Sequence, residues 1–390
     1  MQETGGTPTN GRIRLLDILR GFAIIGTLGT NIWLFADPGA TLALLSFQGE
    51  GNSIDTWING FLGIFTSGKF LGLLTIMFGI GLEMKYRKAL RDKLPWLRMY
   101  IWTMILLGLD GLLHFIFVFE YDVLMSYAFT GIIVAFLVGC RHTTLNWIMA
   151  GAAAIHLFGL MLLTIVWIWM FHDEALFAEI MGMFQQTEIV YTTGTYLEQI
   201  QYRLSDFWGL RGEAISIIFM NIFLYLFGIR LYRAGAFSND TNGRNIRKRL
   251  MIWGLGLGIP LNLLAFVPGH VFDLSVRYLF APVLSVGYIG LIAFILERNL
   301  FGWLLTRFEM IGKTALSCYV LQNIIGSVLF YNWGLGLAPV DNVYGVIGAW
   351  ILITIIMMIV AQLFVRLFGI GPLEWVWRKL SSAPFKSLSR

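Results

Sequence analysis

Charge is scarce in this chain. Asp, Glu, Lys and Arg together make up 13% of its 390 residues, against about 25% in a soluble domain, which excludes an ordinary water-facing surface. Cysteine is scarcer still. Cys140 and Cys318 provide neither a disulfide framework nor a CxxC metal pattern. HExxH and GxSxG are missing, and the glycines of "GLGLG" (254–258) lack the GxGxxG spacing and sit in an apolar run rather than after a strand. Those glycines are expected to let helices pack closely. Period-2 alternation is absent from the apolar runs, which excludes a β-barrel.

What the chain does have is apolar length. Hydrophobic residues account for 57% of it, and they gather into ten runs. These cover approximately residues 15–35, 57–84, 97–118, 122–140, 145–171, 212–233, 250–268, 275–296, 310–331 and 343–368. A helix of about 20 residues crosses a hydrocarbon core of about 30 Å. The expected fold is therefore an all-α, polytopic integral membrane bundle of about ten transmembrane helices, a single membrane domain over 1–390. The second run has an alternative reading, a short outer helix over 55–66 followed by a span over 68–86. The first run exceeds the core of a signal peptide and is expected to remain as the first helix.

Lysine and arginine set the expected orientation. With a cytoplasmic N-terminus, all but four of the 28 basic residues fall at the inner face, from Arg12 through the run Lys85–Arg98 to Arg390. The four left over are Lys69, Arg203, Arg211 and Arg277. An even number of spans puts the C-terminus inside as well, with acids such as Glu50, Glu120, Asp122, Asp273 and Asp341 outside. The net charge of +5 thus reflects topology and carries no nucleic-acid signature; the expected partner is the lipid bilayer.

Three pieces lie beyond the spans. Residues 172–211 form an outer amphipathic segment in which Leu197, Ile200, Leu204 and Phe207 fall on one helical stripe, expected to lie against the outer mouth of the bundle. Residues 233–249 read as a cytoplasmic basic loop. Residues 369–390 read as a cytoplasmic interfacial tail, in which Pro372 starts a helix and Glu374 and Arg378 stand four apart.

Several strings in fixed order resemble the YeiB-like family of bacterial membrane proteins: "LLDILRGFAIIGTLGTNI" (15–32), "SGKFLGLLTIMFGIG" (67–81), "GLLHFIFVFEYDVLMSYAFTG" (111–131), "YTTGTYLEQIQYR" (191–203), "GKTALSCYVLQN" (312–323) and "GPLEWVWRKL" (371–380). The resemblance implies a multi-pass protein of the bacterial plasma membrane. It also implies a distant relation to transmembrane acyltransferases such as the lysosomal heparan-sulfate acetyl-transferring enzyme. This chain departs from the family's Gly-Asp before "ILxxYA": Glu120, Tyr121 and Asp122 precede "VLMSYA" here.

The residues with chemical potential cluster in the third run and the turn after it. Asp110 and His114 are one helical turn apart, with Glu120 and Asp122 in the outer turn. An Asp at mid-bilayer costs about 2.5–3.5 kcal/mol on insertion scales, so Asp110 is expected to face the interior with His114 as its partner. Such a histidine can act as general base on a hydroxyl or amine, with Lys69, Asn31, Asp122 and Gln322 lining the acceptor site. The plainer alternative is a hydrogen-bonded cluster that fixes helix register. At the inner end Asp17 and Arg20 form an expected pair, and Arg20 is the candidate to grip the phosphates of an acyl-CoA. The leading expectation is an acyltransferase moving an acyl group from a cytoplasmic acyl-CoA-type donor, a co-substrate rather than a tightly bound cofactor, to a lipid or sugar acceptor outside. The rivals are a proton-coupled transporter of a small solute or lipid, and a non-catalytic membrane partner; a homodimer is a further candidate assembly.

Overall fold

The computed structural model of the chain describes residues 13–39, 54–340 and 342–388. Arg12, Glu50, Asp341 and Arg390 lie outside these. An apolar chain in lipid must satisfy its backbone internally, and the helix does so within one segment. All regular structure among the described residues is helical. In chain order the helices of eight or more residues are α1 (Arg14–Ala36), α2 (Ile54–Thr66), α3 (Lys69–Arg91), α4 (Trp96–Phe117), α5 (Leu124–Leu137), α6 (His142–Met170), α7 (Glu174–Thr193), α8 (Tyr196–Ser205), α9 (Ile218–Arg233), α10 (Thr241–Leu263), α11 (Ala281–Glu297), α12 (Gly302–Lys313), α13 (Ala315–Phe330), α14 (Val343–Phe368) and α15 (Pro372–Ser382).

Among the described residues, seven segments are long and apolar enough to cross a membrane: Arg14–Ala36, Trp57–Arg91, Trp96–Phe117, His142–Met170, Thr241–Phe266, Asp273–Glu297 and Val343–Phe368. They coincide with seven of the ten apolar runs. The other three runs become α5, α9 and α13, of 14, 16 and 16 residues. At ~1.5 Å per residue these extend only about 21–24 Å. The runs looked longer because apolar residues at their ends belong to turns or to a neighbouring helix; Thr314, for instance, separates α12 from α13. The second run is likewise two helices, broken at Ser67–Gly68 with Gly68 at φ 76°.

α1 is the hub, packed against α3, α11, α12, α13 and α14. The first glycine of "GLGLG" works as expected: a Cβ on Gly254 would meet the backbone of Gly287 at 2.2 Å, so α10 and α11 touch along their main chains.

Two of the pieces beyond the spans differ from expectation. α8 is helical, and Thr195 and Glu198 close its start as a reciprocal capping box; of the stripe, Ile200 and Phe207 are half-buried, Phe207 against Phe115 of α4 at 5.2 Å, but the polar face is buried more deeply. Gln199 and Arg203 are buried while Leu197, on the apolar stripe, is 62% exposed. The reason is that Arg203 Nη1 donates to the Ile116 carbonyl at 2.7 Å, satisfying one of the orphan acceptors at the end of α4. The basic loop 233–249 is also mostly helix. Asp240 caps α10 by accepting from Gly243 N at 2.7 Å, and Arg247 turns inward to Glu297 at 2.6 Å.

Candidate functional site

His114 lies on α4 one turn before its end and is 3% exposed. Its ring faces Asp122, not Asp110 as the one-turn spacing suggested: Nδ1 stands 3.3 Å from Asp122 Oδ1, although neither Nδ1 nor Asp110 Oδ2 makes a hydrogen bond. The physical cause is Gly111. A Cβ there would come within 2.7 Å of Asp122 Oδ2, so only a glycine lets the carboxylate press against the helix beside the imidazole. Asp122 is held in place by accepting from Met125 N at 3.0 Å, which caps the start of α5. Tyr319 of α13 donates to Asp122 Oδ1 at 3.5 Å and its ring lies 5.0 Å from that of His114.

The other ring nitrogen faces α13. Asn323 Nδ2 is 3.0 Å from His114 Nε2, and Asn31 Nδ2 of α1 donates to Asn323 Oδ1 at 3.2 Å. An amide that accepts from Asn31 through its oxygen presents its NH2 to His114 Nε2, so the ring nitrogen accepts there. The result is a four-residue chain, Asp122–His114–Asn323–Asn31, across three helices and the turn after α4.

Two cavities lie near this chain; Asp122 and Asn31 line the smaller, while His114 and Asn323 line neither. The larger, of about 410 Å³, opens at the end of the molecule carrying Arg20, Lys85, Lys313 and Arg378, and Tyr319, Leu124 and Tyr127 line its interior. Arg20 Nη1 donates to Asp17 at 3.1 Å as expected, and Lys313 pairs with Glu309 at 2.6 Å. Lys85 sits 4.9 Å over the ring of Trp377. The smaller cavity, of about 80 Å³, lies toward the other end of α1 between Thr27, Thr30, Asn31, Asp122, Arg211 and Arg277. Val123 and Tyr127 border both.

Of the residues singled out from sequence, the structure brings His114, Asp122 and Asn31 together. Asp110 is left one turn below, half-buried. Lys69 is fully buried in the break between α2 and α3, where its Nζ donates to the Gly63 carbonyl at 3.1 Å, and it is not among the residues that line either cavity. Gln322 reaches Thr27 Oγ1 at 3.4 Å and ties α13 to α1. Glu374 caps α13 rather than pairing with Arg378: its Oε1 accepts from Leu316 N at 2.7 Å. Glu120, expected to be wet, is 2% exposed and accepts from Tyr191 at 2.7 Å; residues 191–211 fold back over the turn. Burial pushes its carboxyl above the usual range, against the opposing pull of Arg203. The sequence reading missed Tyr319 and Asn323 as site residues. Their four-residue spacing on α13 was the available signal.

Residues 231–384 match the family described as "Protein of unknown function (DUF418)". Over nearly its whole length the chain is 26% identical to the uncharacterized protein YxaH of Bacillus subtilis, with 98% of each chain covered. It is likewise 26% identical to the uncharacterized protein YeiB of Escherichia coli, with 94% of this chain and 95% of the relative covered. No solved structure matches.

Proposed function

Starting from a chain that belongs with the YeiB-like bacterial proteins, we propose a multi-pass acyltransferase of the plasma membrane, with ten crossings and both termini cytoplasmic. It takes an acyl group from an acyl-CoA at the inner face and passes it to an acceptor at the outer face. The observation that carries the reading is a buried Asp122–His114–Asn323 arrangement beside two cavities that share the wall Val123 and Tyr127, the smaller lined by Asp122 and the larger by Tyr319 and four basic side chains. Arg20, Lys85, Lys313 and Arg378 suit the phosphates of a CoA, with the pantetheine arm and acyl group running along the apolar wall toward Tyr319.

In this reading an acceptor hydroxyl or amine displaces the Asn323 amide and donates its hydrogen bond to His114 Nε2. As the acceptor attacks the thioester carbonyl, Nε2 takes its proton, and Asp122 stabilises the resulting imidazolium through Nδ1–H. The tetrahedral oxyanion then collapses with cleavage of the C–S bond, and the CoA thiolate leaves and recovers a proton. Tyr319 and the Asn323 amide are the nearby donors for the oxyanion.

The test uses purified protein in sealed proteoliposomes with acetyl-CoA outside and glucosamine inside, following thiol release. Saturable thiol release that Arg20→Gln shifts to higher acetyl-CoA concentration supports the reading. Absence of both CoA binding and thiol release overturns it. Two cavities that share a wall also suit alternating access in a transporter; that reading predicts passage of an intact solute with no thioester cleaved.

A further inference from the structure

Four basic residues fall outside the inner-face set: Lys69, Arg203, Arg211 and Arg277. The structure gathers them at one place. Arg211 and Arg277 line the smaller cavity, Gly68 and Phe70 on either side of Lys69 line it too, and Arg203 lies just behind, 3.0 Å from Tyr191. Intramembrane or buried cations are expensive and are found where a counter-charge meets them. Arg277 has one, Glu213 at 2.9 Å.

Arg211 does not. It is 5% exposed, yet its guanidinium donates only to main-chain carbonyls, Nη1 to Asp122 O at 2.8 Å and Nη2 to Glu120 O. Its Nε is buried without a partner, and no carboxylate stands within ion-pair distance of it among the described residues. The nearby carboxylates bond elsewhere, Asp122 to Met125 N, Glu120 to Tyr191 and Glu213 to Arg277, and Asp122 and Glu213 line the cavity beside Arg211. Phe115 covers one face of the guanidinium at 4.5 Å. Hydroxyls and amides from Thr27, Thr30, Asn31 and Ser126 line the same cavity. Its volume of about 80 Å³ exceeds the 10–15 Å³ or so that one water needs and admits a carboxylate or phosphate group.

We propose that the smaller cavity is an anion site in which Arg211 receives the carboxylate or phosphate of a small hydroxyl-bearing ligand. Arg277 and its partner Glu213 form the adjacent wall, and the threonine and asparagine side chains meet the hydroxyls. The site adjoins His114–Asp122, so it gives an acidic character to whatever approaches from that end. It stands on charge and geometry alone and holds whether or not acyl transfer occurs.

The test is thermal unfolding of the full chain in detergent with inorganic phosphate, compared with chloride at matched ionic strength. A ligand that binds the native state raises Tm in a saturable, concentration-dependent way. The expected result is such a rise in wild type and its loss in Arg211→Gln. Equal responses to phosphate and chloride, or an unchanged phosphate response in Arg211→Gln, overturn the proposal. Because Arg211→Gln can itself fail to fold, Ala214→Glu provides an independent reading from the cavity wall. A tethered carboxylate there should leave the protein at least as stable in phosphate-free buffer and abolish the phosphate response; a retained response overturns the assignment. A lipid source is separated by nanodiscs of phosphatidylglycerol against phosphatidylcholine: stabilisation by phosphatidylglycerol that Arg211→Gln removes assigns the anion to a headgroup, and stabilisation by free phosphate assigns it to a soluble ligand.

Discussion

Two histidine–aspartate pairs occur among the described residues, and they behave differently. His270 meets Asp273 at 2.9 Å three residues on, stacked on Phe171 at 3.7 Å, with Trp167 donating to the same carboxylate oxygen at 3.2 Å. All of that ties the loop after α10 to the end of α6. His114 instead faces a carboxylate from the turn after its helix, has the Asn323 amide of α13 on its other nitrogen, and neighbours Asp122 and Tyr319, which line the two cavities. A local pair under an aromatic lid serves a loop. A pair joined to another helix by Asn323, with cavities at its neighbours, can serve a ligand.

The sharpest way to break this contrast is His114→Ala. Thiol release from acyl-CoA should fall by about 10²–10⁴, the usual worth of a general base, with the detergent-solubilised protein still monodisperse; unchanged turnover would place the chemistry elsewhere. Asp122→Asn should cost at least ~10-fold, since loss of an orienting carboxylate leaves the wrong tautomer. Asp110→Asn should cost less than Asp122→Asn in the same assay, and the reverse order would restore the one-turn partner. His270→Ala should leave turnover within about twofold and lower stability by about 1–3 kcal/mol, because Asp273 loses a buried partner; calorimetry reads this.

The smallest effect expected concerns Glu198, whose carboxyl is held below the usual range by the Thr195 backbone N–H and hydroxyl. A depressed acid contributes stability that is present above its unfolded pKa of about 4.3 and is lost as pH falls through the lower folded value. Hydrogen exchange in the first turn of α8 should therefore quicken in that acid window in wild type, and Glu198→Gln should remove most of the pH dependence without touching turnover.

Helix content and the places of most elements were legible because apolar length is a strong signal. The three short helices were not, since hydropathy does not say where an apolar residue leaves a helix for a turn. His114, Asp122 and Asn31 could be named from residue type and depth. Their wiring could not, because it depends on Gly111, whose role is to be absent as a side chain, and on α13 arriving from 209 positions away to bring Asn323 to the ring. The burial pattern of α8 was hidden for a related reason. Gln199 and Arg203 are buried, Arg203 on the Ile116 carbonyl at the end of α4, while Leu197 and Leu204 are exposed, and neither placement follows from the apolar stripe.

One wall of the larger cavity has a bearing on how the protein is made. Ile370, Glu374, Trp377 and Arg378 close it, and Glu374 secures α13 through Leu316 N and Ser317. During synthesis, at roughly 5–20 residues per second, α15 leaves the ribosome after every helix it closes against. The nascent protein therefore passes through an interval in which the bundle is threaded but this chamber stands open to the lipid and solvent at its basic end, and the start of α13 lacks its carboxylate. A quality-control machinery that reads exposed apolar surface would meet the chain in that interval, and shortening it before Glu374 would make the interval permanent.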